Sequence, residues 1–320
     1  MRLFALKGSD RLGAIVASQM HIELDALEER EFSDGEHKSR PLVSVRGEDV
    51  FVLHTLHGGA QSAAERLLRL LFFIAACREN GAARVTAVAP YLAFMRKDQQ
   101  TKPRDPVTSR YVAQLFEAAG ADMVVTVDVH NVSAFQNAFR RSTLLSMQHA
   151  FVPRIRELAK GGRLVLLSPD SGGIRRVHQL QEAYVAETGA AVGLAIMEKR
   201  RSDDVVTGDL FAGDVEGADV VILDDMIASG GTMVRAARAC RQRGASHVHA
   251  VATHPLLTTA SEALFAPEID TITVSSSVPL SFELGAFGKL SVVDCAPLLA
   301  EAIQRLHAGG SIHRLLNPQP

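Results

Sequence analysis

Apolar residues along this chain fall into two kinds of stretch. Some are short solid runs, and others recur every three or four positions between polar residues. The first kind predicts buried strands and the second predicts helices with one apolar face. DVFVLHTL (49–56), rich in β-branched residues, reads as a strand. Residues 60–80 carry leucines at helical spacing and stop before Gly81, a residue suited to the left-handed position past a helix end. RVTAVAPY (84–91) is the next strand. Asp105 and Pro106 predict an N-cap and a first helical turn. Val112, Leu115, Phe116 and Ala119 mark the apolar face of the helix that follows, and Gly120 closes it. Residues 122–130 form another strand. The second half repeats the rhythm, with strands at 163–168, 191–197, 218–225 and 247–254 and helices at 173–187 and 231–244. Strands apolar throughout, alternating with helices, predict an α/β fold with parallel sheets covered on both faces and right-handed crossovers. A boundary near residue 147 divides the chain into domains 1–147 and 148–320, with the last helix free to return to the first.

The length of 320 residues suits two such domains. Hydrophobic residues at 47% and charged residues at 22% are ordinary for a soluble globular enzyme, so cores can form without disulfides or structural metal. A formal net charge of −2 supplies no basic field, which argues against nucleic acid or an anionic membrane as partner. Cys77, Cys240 and Cys295 are far apart and form no CxxC pair, so neither a disulfide framework nor a zinc site is expected. The N-terminal residues lack the apolar core of a signal peptide. The most apolar stretch, 67–77, is broken by Arg69 and too short to span a bilayer. The expectation is a cytoplasmic protein.

The segment VVILDDMIASGGTMVRAARA (220–239) carries the most chemistry. A buried strand ends on Asp224 and Asp225, and a small-residue loop opens into a helix. Gly230 and Gly231 have no Cβ to block close approach, so their N–H groups can converge on an anion. The helix adds unpaired N–H groups and the positive end of its dipole. Ser229 and Thr232 add hydroxyl donors. The acids sit at the carboxyl end of a strand, where open α/β sheets bind ligands. Acceptor-only carboxylates suit vicinal ribose hydroxyls or a Mg²⁺ shell. The plain alternative is a tight turn with an acidic helix cap. FSDGE (32–36) reads locally as a strand and a Ser-Asp-Gly turn. Arg96, Lys97 and Asp98 read as a solvated loop, and KRRSDDVVTGD (199–209) as a charged surface loop without periodicity.

DDMIASGGT resembles the 5-phosphoribosyl 1-pyrophosphate loop of the type I phosphoribosyltransferase fold, and further segments narrow the likeness to the ribose-phosphate diphosphokinases. FSDGE is similar to that family's adenine-binding hairpin, and RKD (96–98) to its ATP-binding RQD segment. TVDVH (126–130) and SPDSGG (168–173) resemble the segments that supply its metal ligands. EKRR (198–201), followed by GDVEG (213–217), resembles its flexible catalytic loop. ATHP (252–255) and SSSVPL (275–280) fall in the family's order, and the likeness runs from about residue 2 to residue 315.

This resemblance implies two type I phosphoribosyltransferase-like domains, each a mainly parallel sheet flanked by helices. It implies diphosphoryl transfer from ATP to ribose 5-phosphate with Mg²⁺, giving 5-phosphoribosyl 1-pyrophosphate for nucleotide biosynthesis. By the same resemblance Phe32, Asp34, Gly35, Glu36, Arg96, Lys97 and Asp98 bind ATP. Ala228, Ser229, Gly230, Gly231 and Thr232 hold the sugar 5-phosphate, with Asp224 and Asp225 at the ribose hydroxyls. His130 and Asp170 are the metal ligands, and Lys199 and Arg201 the catalytic cations. A homo-oligomer built from dimers, a hexamer in many members, places FSDGE at a neighbour's ATP site. The chain departs from the pattern at Lys97, where glutamine is usual, and at Gln99 and Gln100, where the family is more basic. Asn131 stands for a commoner alanine, a change expected to be neutral, and Ala228 stands for a frequent acid. Two other readings are a non-catalytic paralogue that regulates a true synthetase and a phosphoribosyltransferase that consumes the product.

Overall fold

The computed structural model describes residues 1–159, 162–202, 205–257, 261, 264–280 and 288–317, without the side chains of 199–202 and 205–209. The chain forms two compact units, Met1–Ser146 with Cys295–Pro320, and Met147–Asp294. The first runs β1 (Arg2–Ala5), α1 (Asp10–Gln19), β2 (Leu27–Glu31), β3 (His37–Pro41), β4 (Asp49–Leu53) and α2 (Ala63–Glu79). It continues with β5 (Arg84–Ala89), α3 (Thr108–Ala118), β6 (Met123–Val127), α4 (Val132–Ala138) and β7 (Ser142–Leu145). The second unit contains α5 (Gln148–Leu158), β8 (Leu164–Ser168), a 3₁₀ turn (Ser171–Gly173), α6 (Ile174–Thr188), β9 (Gly193–Ser202) and β10 (Val205–Ala212). It ends with β11 (Asp219–Ile227), α7 (Gly231–Gln242), β12 (His247–Pro255), β13 (Thr271–Ser275) and β14 (Leu290–Val293). The chain then returns to the first unit as α8 (Ala296–Ala308) and α9 (Ile312–Leu316).

Strands β1-β4-β5-β6-β7 form one parallel sheet in chain order, and β2 and β3 form a separate antiparallel hairpin. Helix α2 starts in a capping box. Ser62 Oγ accepts from Glu65 N–H at 3.2 Å, and Glu65 Oε2 accepts from Ser62 N–H at 2.7 Å. Its apolar face then covers the sheet, with Phe73 edge-on to Phe4. Helix α8 docks on this unit. Arg84 Nη2 donates to the Leu306 carbonyl at 2.9 Å, and His307 Nδ1 meets Asp49 Oδ2 at 2.8 Å. Burial of Leu299 and Ile303 contributes more to the docking: each side chain taken from water is worth about 1.5–3 kcal/mol, against roughly 0–1 kcal/mol for a surface ion pair.

The second sheet has the order β10-β9-β8-β11-β12-β13-β14 and is parallel except where β9 meets β10. From β8 the chain moves to one side, through β9 and β10. It then returns to the other side of β8 as β11. That reversal is a topological switch point, and it opens a crevice at the carboxyl ends of β8 and β11. β8 is buried throughout and β11 from Asp219 to Leu223, as expected of strands in a covered parallel sheet.

Four local expectations are corrected. Helix α3 begins at Thr108, with Val107 as its cap, because the Asp105 carboxylate is engaged by its own loop. That carboxylate accepts from Thr101 N–H at 3.1 Å, Thr101 Oγ1 at 2.8 Å, Lys102 N–H at 2.9 Å and the Lys97 ammonium. Leu115 is 48% exposed, because the buried stripe of α3 runs through Ser109, Val112, Ala113 and Phe116. Strand β11 runs on to Ile227, so Asp224 and Asp225 lie inside it; its pairing with β12 continues through Ile227. Residues 199–202 and 205–209 are strand rather than loop, since the pairing of β9 with β10 satisfies their backbone despite their charge. No helix of the described residues is long and apolar enough to cross a membrane.

Two buried histidines make stability depend on pH. His54 is fully buried against Ser9 Oγ at 3.1 Å, and burial, helped by the charge of Arg66, brings its pKa down to about 3. Burial brings His249 down to about 4. Below their ordinary value of 6.5 the unfolded chain binds protons that the folded chain refuses, so stability falls as pH falls from there towards 3–4. Urea denaturation between about pH 7 and pH 4.5 should show this loss, with a shallower slope in His54→Asn. Identical slopes would remove His54 from the account.

Candidate functional site

Beyond β11 the chain passes Ala228 and Ser229 and turns at Gly230 into α7. Gly230 takes φ +78, and a Cβ there would stand 2.3 Å from Leu264 Cγ, so this position admits only glycine. Gly230 faces the core, while Ser229 and Gly231 are exposed on the open side. Ser261 Oγ donates to the Ala228 carbonyl and braces the loop from behind. No side chain caps α7, and its first turn holds no acid. The acidic-cap reading is thereby corrected. The N-cap Gly230 offers no side-chain cap to this twelve-residue helix, and a helix end of this kind attracts anions.

Beside this loop stands a concentration of acid. Asp225 is buried, and its N–H donates to Asp224 Oδ1 at 2.8 Å. Burial, then the hydrogen bond and charge of Asp225, hold the Asp224 carboxyl far above the usual carboxylate range, and Asp170 adds to the repulsion. Opposing them is Arg176 on α6, whose Nη1 and Nη2 lie 3.4 Å from Asp224 Oδ1 and Asp225 Oδ1. Asp170 follows β8, exposed; its Oδ1 accepts from Gly173 N–H at 2.9 Å, while Ser168 Oγ donates to its carbonyl at 2.6 Å. The switch point thus joins an anion loop, a buried acid pair and an open carboxylate.

The first unit gathers other chemistry at the carboxyl rim of β5 and β6. Arg96 is exposed and Asp98 half-buried in the loop after β5. Lys97 turns away from Asp98, and its ammonium is held by Asp105 and by Thr101 Oγ1 at 2.8 Å. His130 is exposed after β6, three residues past the end of the strand and two past Asp128, whose φ of +33 marks a left-handed turn. Asn131 makes contacts that an alanine could not: its side chain donates to Asp98 and caps α4. The hairpin of β2 and β3 carries Phe32 at its tip, 40% exposed, with the Arg30 guanidinium 5.1 Å from the ring centroid. Phe32 N–H donates to the Glu36 carbonyl, Asp34 Oδ1 accepts from Glu36 N–H, and Gly35 takes φ +91 to close the turn.

The backbone of Lys199 and Arg201 lies on β9, in register with Asp209 and Val206 of β10. Their side chains lie outside the described residues. Arg176, Ser261, Leu264, Asn131 and Asp105 take part in these arrangements without having been singled out as site residues. Arg176 did leave a signal. Two arginines in the first turn of α6 oppose the helix dipole, so they called for an acidic partner elsewhere in the fold.

Residues 1–120 match the N-terminal domain of ribose phosphate pyrophosphokinase, and residues 200–317 match the phosphoribosyl synthetase-associated domain. A ribose-phosphate pyrophosphokinase of Vibrio vulnificus is 34% identical over 327 residues, covering 99% of each chain. One from Caldanaerobacter subterraneus is 35% identical over 324 residues, covering 98% of this chain and 97% of the relative. The crystal structure of phosphoribosylpyrophosphate synthetase from Mycobacterium smegmatis matches with a TM-score of 0.87 and 30% identity, over 97% of this chain and 99% of that one.

Arg176→Met should lower stability by about 3 kcal/mol, because it leaves close carboxylates without their cation. Adding Asp224→Asn should restore part of the loss. Denaturation curves for the two variants decide the matter, and a single variant as stable as the parent would show that Arg176 is not the counter-charge.

Proposed function

The chain belongs to the ribose-phosphate pyrophosphokinase family, and we propose that it transfers the diphosphoryl group of ATP to the C1 hydroxyl of ribose 5-phosphate. The products are 5-phosphoribosyl 1-pyrophosphate and AMP. One observation carries the reading: a full-length family likeness falls on a chain whose open, uncapped glycine loop stands beside a buried acid pair. A phosphate monoester fits the loop, and vicinal hydroxyls fit the acids.

In this reading residues 228–232 hold the 5-phosphate through backbone N–H groups and the hydroxyls of Ser229 and Thr232. Asp224 and Asp225 accept from the ribose hydroxyls. Phe32 stacks on adenine, with Asp34, Gly35 and Glu36 at its edge, and Arg96, Lys97 and Asp98 address the rest of ATP. The C1 oxygen attacks the β-phosphorus in line. The bond from that phosphorus to the α–β bridging oxygen breaks, its electron pair leaves with AMP, and the hydroxyl proton passes to solvent. Positioning and charge stabilisation supply the acceleration, since no covalent intermediate is needed. Lys199 and Arg201 meet the negative charge that spreads over the transferring group and the bridging oxygen.

Mg²⁺ is the proposed metal, with Asp170 and His130 as its protein ligands. The residues fit it: Asp170, exposed after β8, offers the oxygen donor this ion prefers, and the exposed His130 would add one imidazole nitrogen. The rest of the shell of such an ion would come from water and phosphate oxygens. When bound, Mg²⁺ would neutralise phosphate charge and polarise the transferring group.

The proposed assembly is a dimer-based homo-oligomer, with a hexamer as the size to test; the exposed Phe32 at the hairpin tip supports a role across a subunit contact. The proposed location is the cytoplasm. Its reducing conditions suit three buried free cysteines, of which Cys77 and Cys240 are pushed up to about 12 by burial and are poorly reactive. A second reading, the non-catalytic regulatory paralogue, is favoured by Lys97, whose ammonium is already engaged by Asp105 and Thr101.

Purified protein with ATP, Mg²⁺ and ribose 5-phosphate should release AMP only when the sugar is present, with one pyrophosphorylated sugar per AMP. Lys199→Ala should cut turnover by roughly 100-fold or more, with calorimetric binding of ribose 5-phosphate unchanged. Absence of sugar-dependent AMP from folded oligomer would move the assignment to the regulatory paralogue.

A further inference from the structure

Strands β5 and β6 are paired neighbours in a parallel sheet, so the loops at their carboxyl ends leave the rim about 4.8 Å apart. The first loop carries Arg96, Lys97 and Asp98, and the second carries His130 and Asn131. One side chain ties them together. Asn131 Nδ2 donates to Asp98 Oδ2 at 2.6 Å, and Asn131 Oδ1 accepts from Ala134 N–H at 3.1 Å. The planar amide is thus held at both ends, by the first turn of α4 and by the carboxylate of the neighbouring loop.

The chemistry of this contact differs from an ion pair. A neutral amide donor restricts the rotation of a carboxylate and leaves its negative charge in place. Lys97, the nearest cation in sequence, does not neutralise Asp98, because its ammonium goes to Asp105 and Thr101. Asp98 is therefore oriented and still fully able to accept from a ligand donor or to face a cation. The same residue sets the backbone immediately after His130, so one amide couples both segments.

We infer that Asn131 is a positioning residue for the nucleotide, acting through Asp98 rather than by touching the reacting atoms. The inference rests on the reading of residues 96–98 as part of the ATP site. Two substitutions separate positioning from simple helix capping. Serine retains the cap but is too short to reach Asp98, while alanine loses both contacts.

The experiment uses the full-length oligomer and compares Asn131→Ser, Asn131→Ala, Asp98→Asn and the Asp98→Asn/Asn131→Ser pair. It reads KM and kcat, and also calorimetric Kd for Mg²⁺-ATP without the sugar, so it stands even if turnover is low. Both Asn131 variants should raise the KM and Kd for ATP about five- to tenfold, with kcat and the KM for ribose 5-phosphate nearly unchanged. Only Asn131→Ala should lower Tm. Asp98→Asn should weaken ATP similarly, and adding Asn131→Ser to it should change nothing more. Parental ATP binding in Asn131→Ser beside weakened binding in Asp98→Asn would reduce Asn131 to a helix cap and overturn the inference alone. Parental ATP binding in Asp98→Asn would overturn both the reading of 96–98 and the inference built on it.

Discussion

The parallel pairing of β8 with β11 is the constraint on which the functional half of this molecule depends. Over the stretch in which they pair both strands are buried, and the acids Asp224 and Asp225 of β11 come after it. Polar chemistry is forced to the rim. Because the chain reverses direction across the sheet at this pair, the loops after β8 and β11 diverge and leave a crevice. Asp170, Asp224, Asp225 and the glycine loop all occupy that rim. Leu264 packing against Gly230 completes the arrangement by fixing which way the loop faces.

The charges follow from the same packing. Two adjacent acids near the end of a buried strand are tolerable only with compensation, and a helix starting beside them supplies Arg176. The compensation is partial: burial and the neighbouring Asp225 still hold the Asp224 carboxyl above the usual carboxylate range. A site of this kind suits ligands that bring both hydroxyl donors and cations. In the first unit the compensation is of a different kind. Asp105 gathers Lys97, Thr101 and Lys102 into a closed loop, whereas Asp98 is oriented by a neutral amide. Two carboxylates seven residues apart thus do opposite work, one structural and one available.

Much of the architecture was legible because apolar period and length are local properties. The runs at 84–91, 122–130 and 163–168 contain the strands β5, β6 and β8, and the fold class follows from their alternation with helices. The glycine turn into a helix was legible for the same reason, since small residues beside a helix start are written in the sequence. Legibility stopped where a side chain chooses between near and distant partners. Asp105 beside Pro106 has the form of a helix cap, yet a lysine eight residues upstream competes for it successfully. Leu115 fits a helical stripe, yet α3 is buried along a neighbouring face.

Sequence alone therefore determined the elements, their α/β alternation, the glycine loop with its acid pair, and the family. Those follow from backbone conformational preference, from apolar burial and from residue order, all written along the chain. Only the tertiary structure decided that α8 returns to the first unit, that Arg176 answers Asp224 and Asp225, that Asn131 holds Asp98, and that Lys97 turns to Asp105. Each is a contact between groups that strand order and loop geometry bring together. A hydrogen bond or ion pair depends on distances of a few tenths of an ångström, and no spacing along the chain specifies those.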